Sequence, residues 1–412
     1  MNFPKKLYKK LTNREQSNSL RKLNSQSELI DFSSNDYLGF SKSETIFQKA
    51  HQYLINNKIH QNGSTGSRLL SGNHKLYEEV ENTLCKFHNS EAATIFNSGY
   101  DANIGFFSSV PQRGDTIIYD EFIHASIRDG IKMSNAKSYK FKHNDLGVLE
   151  ELLKRLSHTE FISESHKKEQ DEMLKQVQHD GDIYVVTESV FSMDGDSPDL
   201  VSLLEICKKY NTYLIIDEAH ALGVFGKNGC GLIQELGLEN EIFARIITFG
   251  KGLGCHGAAI LGSKELKSYL VNFARSFIYT TALPPHSLAT IKIAYEYLIS
   301  SSGVEKSQKL KENIQYFNQQ LKTFPFGEMS EGQRGKPIFI PSNSAIHCCI
   351  ISGNENVKKA AQFVQEKGFD VKPILSPTVP EGQERLRFCL HSYNSQEEIS
   401  KVLKLLATFV LN

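Results

Sequence analysis

Short apolar runs recur between residues 46 and 290. They are separated by segments whose apolar positions are spaced three and four apart. The short runs are "AATIFNSG", "DTIIYD", "IYVVTESVFS", "TYLIIDEAH" and "ARIITFGKG", and each reads as a strand. Several are almost continuous in apolar residues, as strands covered on both faces are. "HKLYEEVENTLCKFH" and "LVSLLEICKKYN" read as helices. Strand–helix alternation of this kind predicts an α/β fold with a mostly parallel central sheet and helices on both faces. Functional groups then belong at the carboxyl ends of the strands.

The pattern changes at both ends. Residues 1–45 read as an N-terminal helical arm followed by an irregular stretch, "DFSSNDYLGFS". Residues 46–290 form the large domain, and Pro284–Pro285 marks a junction near its end. Residues 291–412 predict a small α+β domain, with strands near 338–352 and at "ERLRFCLHS" and a closing helix "SQEEISKVLKLLATFVLN". Residues 157–182 are polar and highly charged, and they read as a surface excursion peripheral to any chemistry.

Composition narrows the function. With 412 residues, 40% hydrophobic and 23% charged, the chain is long enough for a sizeable core. Its 47 Lys and Arg balance 47 Asp and Glu, so no bulk charge draws it to nucleic acid or an anionic membrane. No apolar run is long enough to span a bilayer. The start, "MNFPKKLYKKLTNREQ", is basic without a following apolar block, unlike a secretory signal. Seven scattered cysteines without a Cys-x-x-Cys pair suit reduced thiols in a cytoplasm. His347-Cys348-Cys349 lies in the apolar run "AIHCCIIS" and reads as buried strand, so no metal site is expected there or elsewhere.

Four predicted strand ends carry chemical groups. "YLIIDEAH" brings out Asp217 and His220, and "VVTESVFSMDGD" brings Glu188 and Ser192. "ARIITFGK" delivers Thr248 and then Lys251, a lysine set between glycines directly after an apolar run. "IFNSGYDAN" delivers Ser98, Gly99 and Tyr100 at a strand-to-helix turn, where unpaired N–H groups can cradle a phosphate and where Ser98 can equally be a plain helix cap. A carboxylate, an imidazole, an anion cradle and one lysine suit an aromatic aldehyde carrying a phosphate, since a primary amine can form and exchange an imine. "NGSTGSRLLSGNHK" fits neither the Rossmann nor the P-loop pattern, and "FGKGLG" lacks the Ser or Thr that a P-loop needs after its lysine.

These segments, together with "DFSSNDYLGFS", "DEFIHASIRDG", "FIYTTALPP" and "PTVPEGQERLRFCLHS", resemble the α-oxoamine synthases in family order over residues 31–391. Members of that family are pyridoxal 5'-phosphate (PLP) enzymes of fold type I that join an amino acid to an acyl thioester with loss of carbon dioxide. The resemblance implies Lys251 as the Schiff-base lysine and general base, Asp217 against the pyridine nitrogen, and His220 and Ser192 near the phenolic oxygen. It implies His124 stacked on the ring and facing the substrate, backbone contacts from Gly99 and Tyr100, and Thr248 on the phosphate. Thr280 or Thr281 would reach the phosphate of a partner subunit in a homodimer. Asn35 and Arg387 would hold the amino-acid carboxylate, with Thr378 and Arg21 on the acyl side.

Within the family the chain looks most like the branch that joins L-alanine to a pimeloyl thioester, carried either by CoA or by a carrier protein. Many members of that branch have an arginine in "RPPTVP". This chain has Leu375 and Ser376 before Pro377, so if that arginine reads a distal acyl carboxylate a different or less charged acyl group is the alternative to the pimeloyl thioester, which stays the leading reading. Branches that acylate glycine or serine share nearly every motif. An aminotransferase and a noncatalytic PLP-fold protein are the other readings.

Overall fold

The computed structural model describes residues 3–21, 23, 28–157, 181–324 and 338–411. In chain order the elements begin with α1 (Lys5–Gln16), β1 (Ile30–Asp31), α2 (Glu44–Asn56), α3 (Lys75–His88), β2 (Ala92–Phe96) and α4 (Gly99–Ser109). Next come β3 (Thr116–Asp120), α5 (Ala125–Met133), β4 (Lys137–Phe141), α6 (Leu146–Ser157), β5 (Ile183–Glu188) and α7 (Leu200–Lys209). Then follow β6 (Tyr213–Asp217), α8 (Leu232–Glu235), β7 (Ala244–Thr248), β8 (Ala258–Gly262), α9 (Lys264–Phe273), α10 (Arg275–Ile278) and α11 (Pro285–Leu298). The chain closes with α12 (Ser301–Leu321), β9 (Ile338–Phe339), β10 (Ile346–Ile350), α13 (Asn354–Glu366), β11 (Phe369–Asp370), β12 (Lys372–Ile374), β13 (Arg385–Cys389) and α14 (Gln396–Leu411).

Two compact units result. The larger comprises Gly39–Phe191 and Ser197–Val304, and the smaller comprises Met1–Leu38, Ser192–Asp196 and Glu305–Asn412. The larger unit continues past Pro284–Pro285 because α11, started by Pro285 in its first turn, packs on α2 and α3. The N-terminal arm belongs to the same unit as the C-terminal segment. The predicted excursion at 157–182 lies almost wholly outside the described residues.

The larger unit is built on a seven-stranded sheet of order β2-β8-β7-β6-β5-β3-β4. Strand β8 pairs antiparallel with both β2 and β7, and the other pairings are parallel. Successive residues point to opposite faces, and the core follows that period. Ile117, Val186 and Ile215 join one apolar cluster with Phe106 and Phe107 of α4 and Ile127 of α5. Their neighbours Ile118, Val185 and Ile216 join the other, with Leu149 and Leu153 of α6 and Leu203 of α7. Each fully buried side chain of this size stabilises the fold by about 1.5–3 kcal/mol, which is why these strands carry few polar residues. Helix α7 starts where Asp199 Oδ1 accepts the Ser202 N–H, and α3 stops at Asn89 in the left-handed region.

The smaller unit holds an antiparallel sheet of order β12-β13-β10-β9, with α13 packed on it and α14 packed on α13. Strand β1 pairs in parallel with β11. His347, Cys348 and Cys349 are fully buried on β10, as the apolar run predicts. Among the described residues no His, Cys, Asp and Glu cluster could hold a metal ion, and no helix is long and apolar enough to cross a membrane.

Candidate active site

Parallel strands bring their carboxyl ends to one edge, and register fixes what meets there. Glu188 at the end of β5 pairs with Asp217 at the end of β6, and Asp217 pairs with Ile246 of β7. Three residues beyond β7, Lys251 places Nζ 2.6 Å from Nε2 of His220, which lies in the turn after β6. Asp217 is buried, and its carboxylate accepts from the Ala219 N–H at 2.9 Å and from Asn103 Nδ2 at 3.0 Å. The charges of Asp217 and Lys251 both act on Glu188 and on His124. Lysine, aspartate and both histidines therefore share this edge.

His124 caps α5 and its backbone N–H donates to Glu188 Oε1 at 2.6 Å. Burial, reinforced by the Asp217 carboxylate, pushes the Glu188 carboxyl well above the ordinary range. Desolvation, helped by the Lys251 charge, pushes the His124 imidazole down.

The anion cradle lies in the same unit. Ser98 is the cap of α4, its Oγ accepting the Asp101 N–H at 3.0 Å and donating to Asp101 Oδ2 at 2.8 Å. Gly99 and Tyr100 follow in the first turn, where backbone N–H groups have no helical acceptor. A Cβ on Gly99 would stand 2.6 Å from Thr248 Cγ2, so only glycine fits this approach. Thr248 Oγ1 is buried without a hydrogen-bond partner among the described residues. An orphaned hydroxyl, a glycine cradle and a positive helix end fit a phosphate, and Asp217 and Lys251 on the same edge fit the ring nitrogen and aldehyde of PLP. Asn97 Nδ2 donates to Thr280 Oγ1 at 3.1 Å and to the Thr281 carbonyl at 2.6 Å, tying that segment of this chain beside the cradle.

The smaller unit gathers a second group. Arg387 on β13 donates from Nε to the Ser192 carbonyl at 2.7 Å and from Nη2 to Asn35 Oδ1 at 2.9 Å. The Tyr37 hydroxyl donates to the same Asn35 oxygen at 3.3 Å. Two residues earlier on the same face, buried Arg385 clasps Asp194 and donates to the Met193 carbonyl at 3.1 Å. Ser192 thus stands with Arg387, its carbonyl rather than its hydroxyl making the contact. Thr378 is exposed, with its N–H bonded to the Leu375 carbonyl at 2.8 Å, and Arg21 is exposed after α1.

The aminotransferase class I and II family model matches residues 27–406. An 8-amino-7-oxononanoate synthase of Emericella nidulans is 39% identical over 394 residues, covering 93% of this chain and 90% of that protein. The chain belongs to the class I and II aminotransferase family, in its α-oxoamine synthase branch. Among solved structures, the 8-amino-7-oxononanoate synthase of Francisella tularensis matches with TM-score 0.73 and 28% identity over 94% of this chain and 99% of that one. A serine palmitoyltransferase of S. paucimobilis with PLP and myriocin bound matches with TM-score 0.81 and 25% identity over 98% and 96%.

In this family member, sequence reasoning passed over Asn103, Ser126 and Tyr37. Asn103 reaches both Asp217 and Ser126 from the middle of α4. A fully polar amide inside the apolar run "ANIGFF" was the available signal, because a buried amide needs partners. Tyr37 sits fully buried in "DFSSNDYLGFS", where a hydroxyl two residues from Asn35 was the clue.

Proposed function

We propose that this chain is a PLP-dependent α-oxoamine synthase that condenses L-alanine with a pimeloyl thioester to give 8-amino-7-oxononanoate, carbon dioxide and a free thiol. The observation that carries the reading is the contact of Lys251 with His220 on the sheet edge that also holds Asp217. When bound, PLP supplies an aldehyde that captures amines and a ring that accepts an electron pair from the neighbouring carbon.

The chain's own groups do the rest. Thr248 and the N–H groups of Gly99 and Tyr100 would hold the phosphate of PLP, and Asp217 would pair with its ring nitrogen. Lys251, held by His220, takes the proton from the amino acid's α-carbon and returns one after carbon dioxide leaves. His124 would cover the ring on the substrate side. Asn35 and Arg387 bind the amino-acid carboxylate, and Thr378 and Arg21 serve the acyl side. Exposed Leu70, Tyr279 and Tyr100, at 84%, 73% and 50% accessible, support a homodimer in which Thr280 or Thr281 reaches the partner's phosphate. Cysteines that form no disulfide support a reducing cytoplasm.

The test is a panel of amino acids crossed with acyl thioesters of several lengths and end groups, read by thiol release and product mass. L-alanine with a pimeloyl thioester should give the highest kcat/KM. Better turnover of glycine with a short acyl group, or of serine with a long one, would move the chain to those branches. Keto-acid-dependent turnover without thiol release would make it an aminotransferase.

A further inference from the structure

Asp217 and His124 are joined by a relay of buried polar groups. Asn103 Nδ2 donates to Asp217 Oδ2 at 3.0 Å and to Ser126 Oγ at 2.9 Å. Ser126 Oγ stands 2.7 Å from His124 Nδ1, and the Ser126 backbone N–H donates to the same nitrogen at 3.2 Å. Asn103, Ser126 and Asp217 are all buried.

Proton positions follow from one group. A backbone N–H can only donate, so His124 Nδ1 accepts and carries no proton, and the proton of the neutral ring is on Nε2. The Ser126 hydroxyl then points its hydrogen at Nδ1 while its lone pairs accept from Asn103. The Asn103 amide must turn its NH2 to Asp217, because its carbonyl would meet a carboxylate there. With Nδ1 held by two donors and Nε2 protonated, the ring has no lone pair left to take a proton from substrate. Ser126 occupies Nδ1, so Nε2 is the ring nitrogen left for a substrate contact.

We propose that Asn103 and Ser126 are positioning residues that lock His124 in the Nε2–H tautomer, making it a hydrogen-bond donor to a substrate oxygen and leaving proton abstraction to Lys251. The donor's target rests on the α-oxoamine synthase reading; the tautomer does not. The relay transfers no proton, since the amide keeps both of its own.

The experiment is nitrogen-15 NMR of the PLP-loaded protein labelled at histidine, with the His124 signals identified by their loss in His124→Asn. His124 should show a protonated Nε2 and an unprotonated Nδ1 at pH 7.5. A proton on Nδ1, or on both nitrogens, overturns the proposal. Ser126→Ala removes the hydroxyl and keeps the backbone N–H, so the Nε2–H form should stay the major one while part of the His124 signal moves toward the other tautomer, and kcat/KM should fall about three- to tenfold, the worth of one neutral hydrogen bond. Unchanged signals and unchanged kcat/KM in a folded Ser126→Ala protein also overturn it. A protein with the expected tautomer but no thiol-releasing activity supports the lock and removes the reaction.

Discussion

Lys251 Nζ and His220 Nε2 lie 2.6 Å apart, so a lysine from the glycine-rich turn after β7 is held by an imidazole from the turn after β6. Glycine permits this approach. A Cβ on Gly252 would meet the Leu222 carbonyl oxygen at 2.3 Å, which fixes the two turns against each other. Removing the imidazole removes the 2.6 Å contact that places the amine. His220→Ala is expected to lower kcat about 10–100-fold through misplacement of the amine, with PLP absorbance retained. Steady-state kinetics and a spectrum of the purified variant check both.

Glu188 gives a pH-dependent stability. Its folded-state pKa lies well above the ordinary carboxyl value, mainly through burial. A raised carboxyl leaves stability intact below the unfolded pKa and lowers it as pH rises toward the folded one. Glu188→Gln keeps an acceptor for the His124 N–H and removes the ionisation. Its melting temperature should exceed the wild type's at pH 8 by more than at pH 5, as measured by calorimetry. An equal difference at both values would refute the assignment.

Tyr37 is fully buried, and burial pushes its phenol above the ordinary value, so it remains a donor to Asn35 Oδ1. That oxygen also accepts from Arg387, and the amide NH2 is thereby aimed away from the guanidinium. Tyr37→Phe removes the phenol's bonds to Asn35 and to the Arg387 guanidinium and should raise KM for the amino acid at least three- to tenfold, about the worth of one hydrogen bond or more, with KM for the acyl thioester unchanged. Initial rates with each substrate varied in turn make the comparison.

His347 is fully buried against Phe317, with neither ring nitrogen in a well-formed hydrogen bond among the described residues. Burial lowers its pKa to about 3. A depressed base leaves stability whole above the unfolded value, near 6.5, and loses it as pH falls from there toward 3. His347→Leu should therefore stabilise the protein, by about 1–3 kcal/mol for the unpaired polar group and by more at pH 5.5 than at pH 7.5. Denaturant melts at the two pH values decide it.

Strands β2, β3, β5, β6 and β7 were legible because each carries a short apolar run that is buried on both faces. Strand β4, "KSYKF", was not, since an edge strand with three of five residues exposed carries no apolar run. Strand β8 is a short apolar stretch whose direction depends on the turn Gly254–Gly257 rather than on its own residues. Lys251, Asp217, His220 and Thr248 could be placed because strand ends of a parallel sheet converge by geometry alone. The membership of Ser192–Asp196 in the smaller unit could not, because it depends on Arg385 and Arg387 nearly two hundred residues away. Asn103 and Ser126 were missed for the same reason: their partners are set by the packing of α4 on α5.

The central claim is that the amine of Lys251 is the group that captures the cofactor's aldehyde. Borohydride reduction of the PLP-loaded protein, followed by peptide mass spectrometry, tests it most directly. The account predicts one pyridoxyl phosphate, carried by the peptide that contains Lys251, and none in Lys251→Ala. A modified peptide elsewhere in the chain, or an unmodified Lys251 in a protein that still releases thiol, would contradict it.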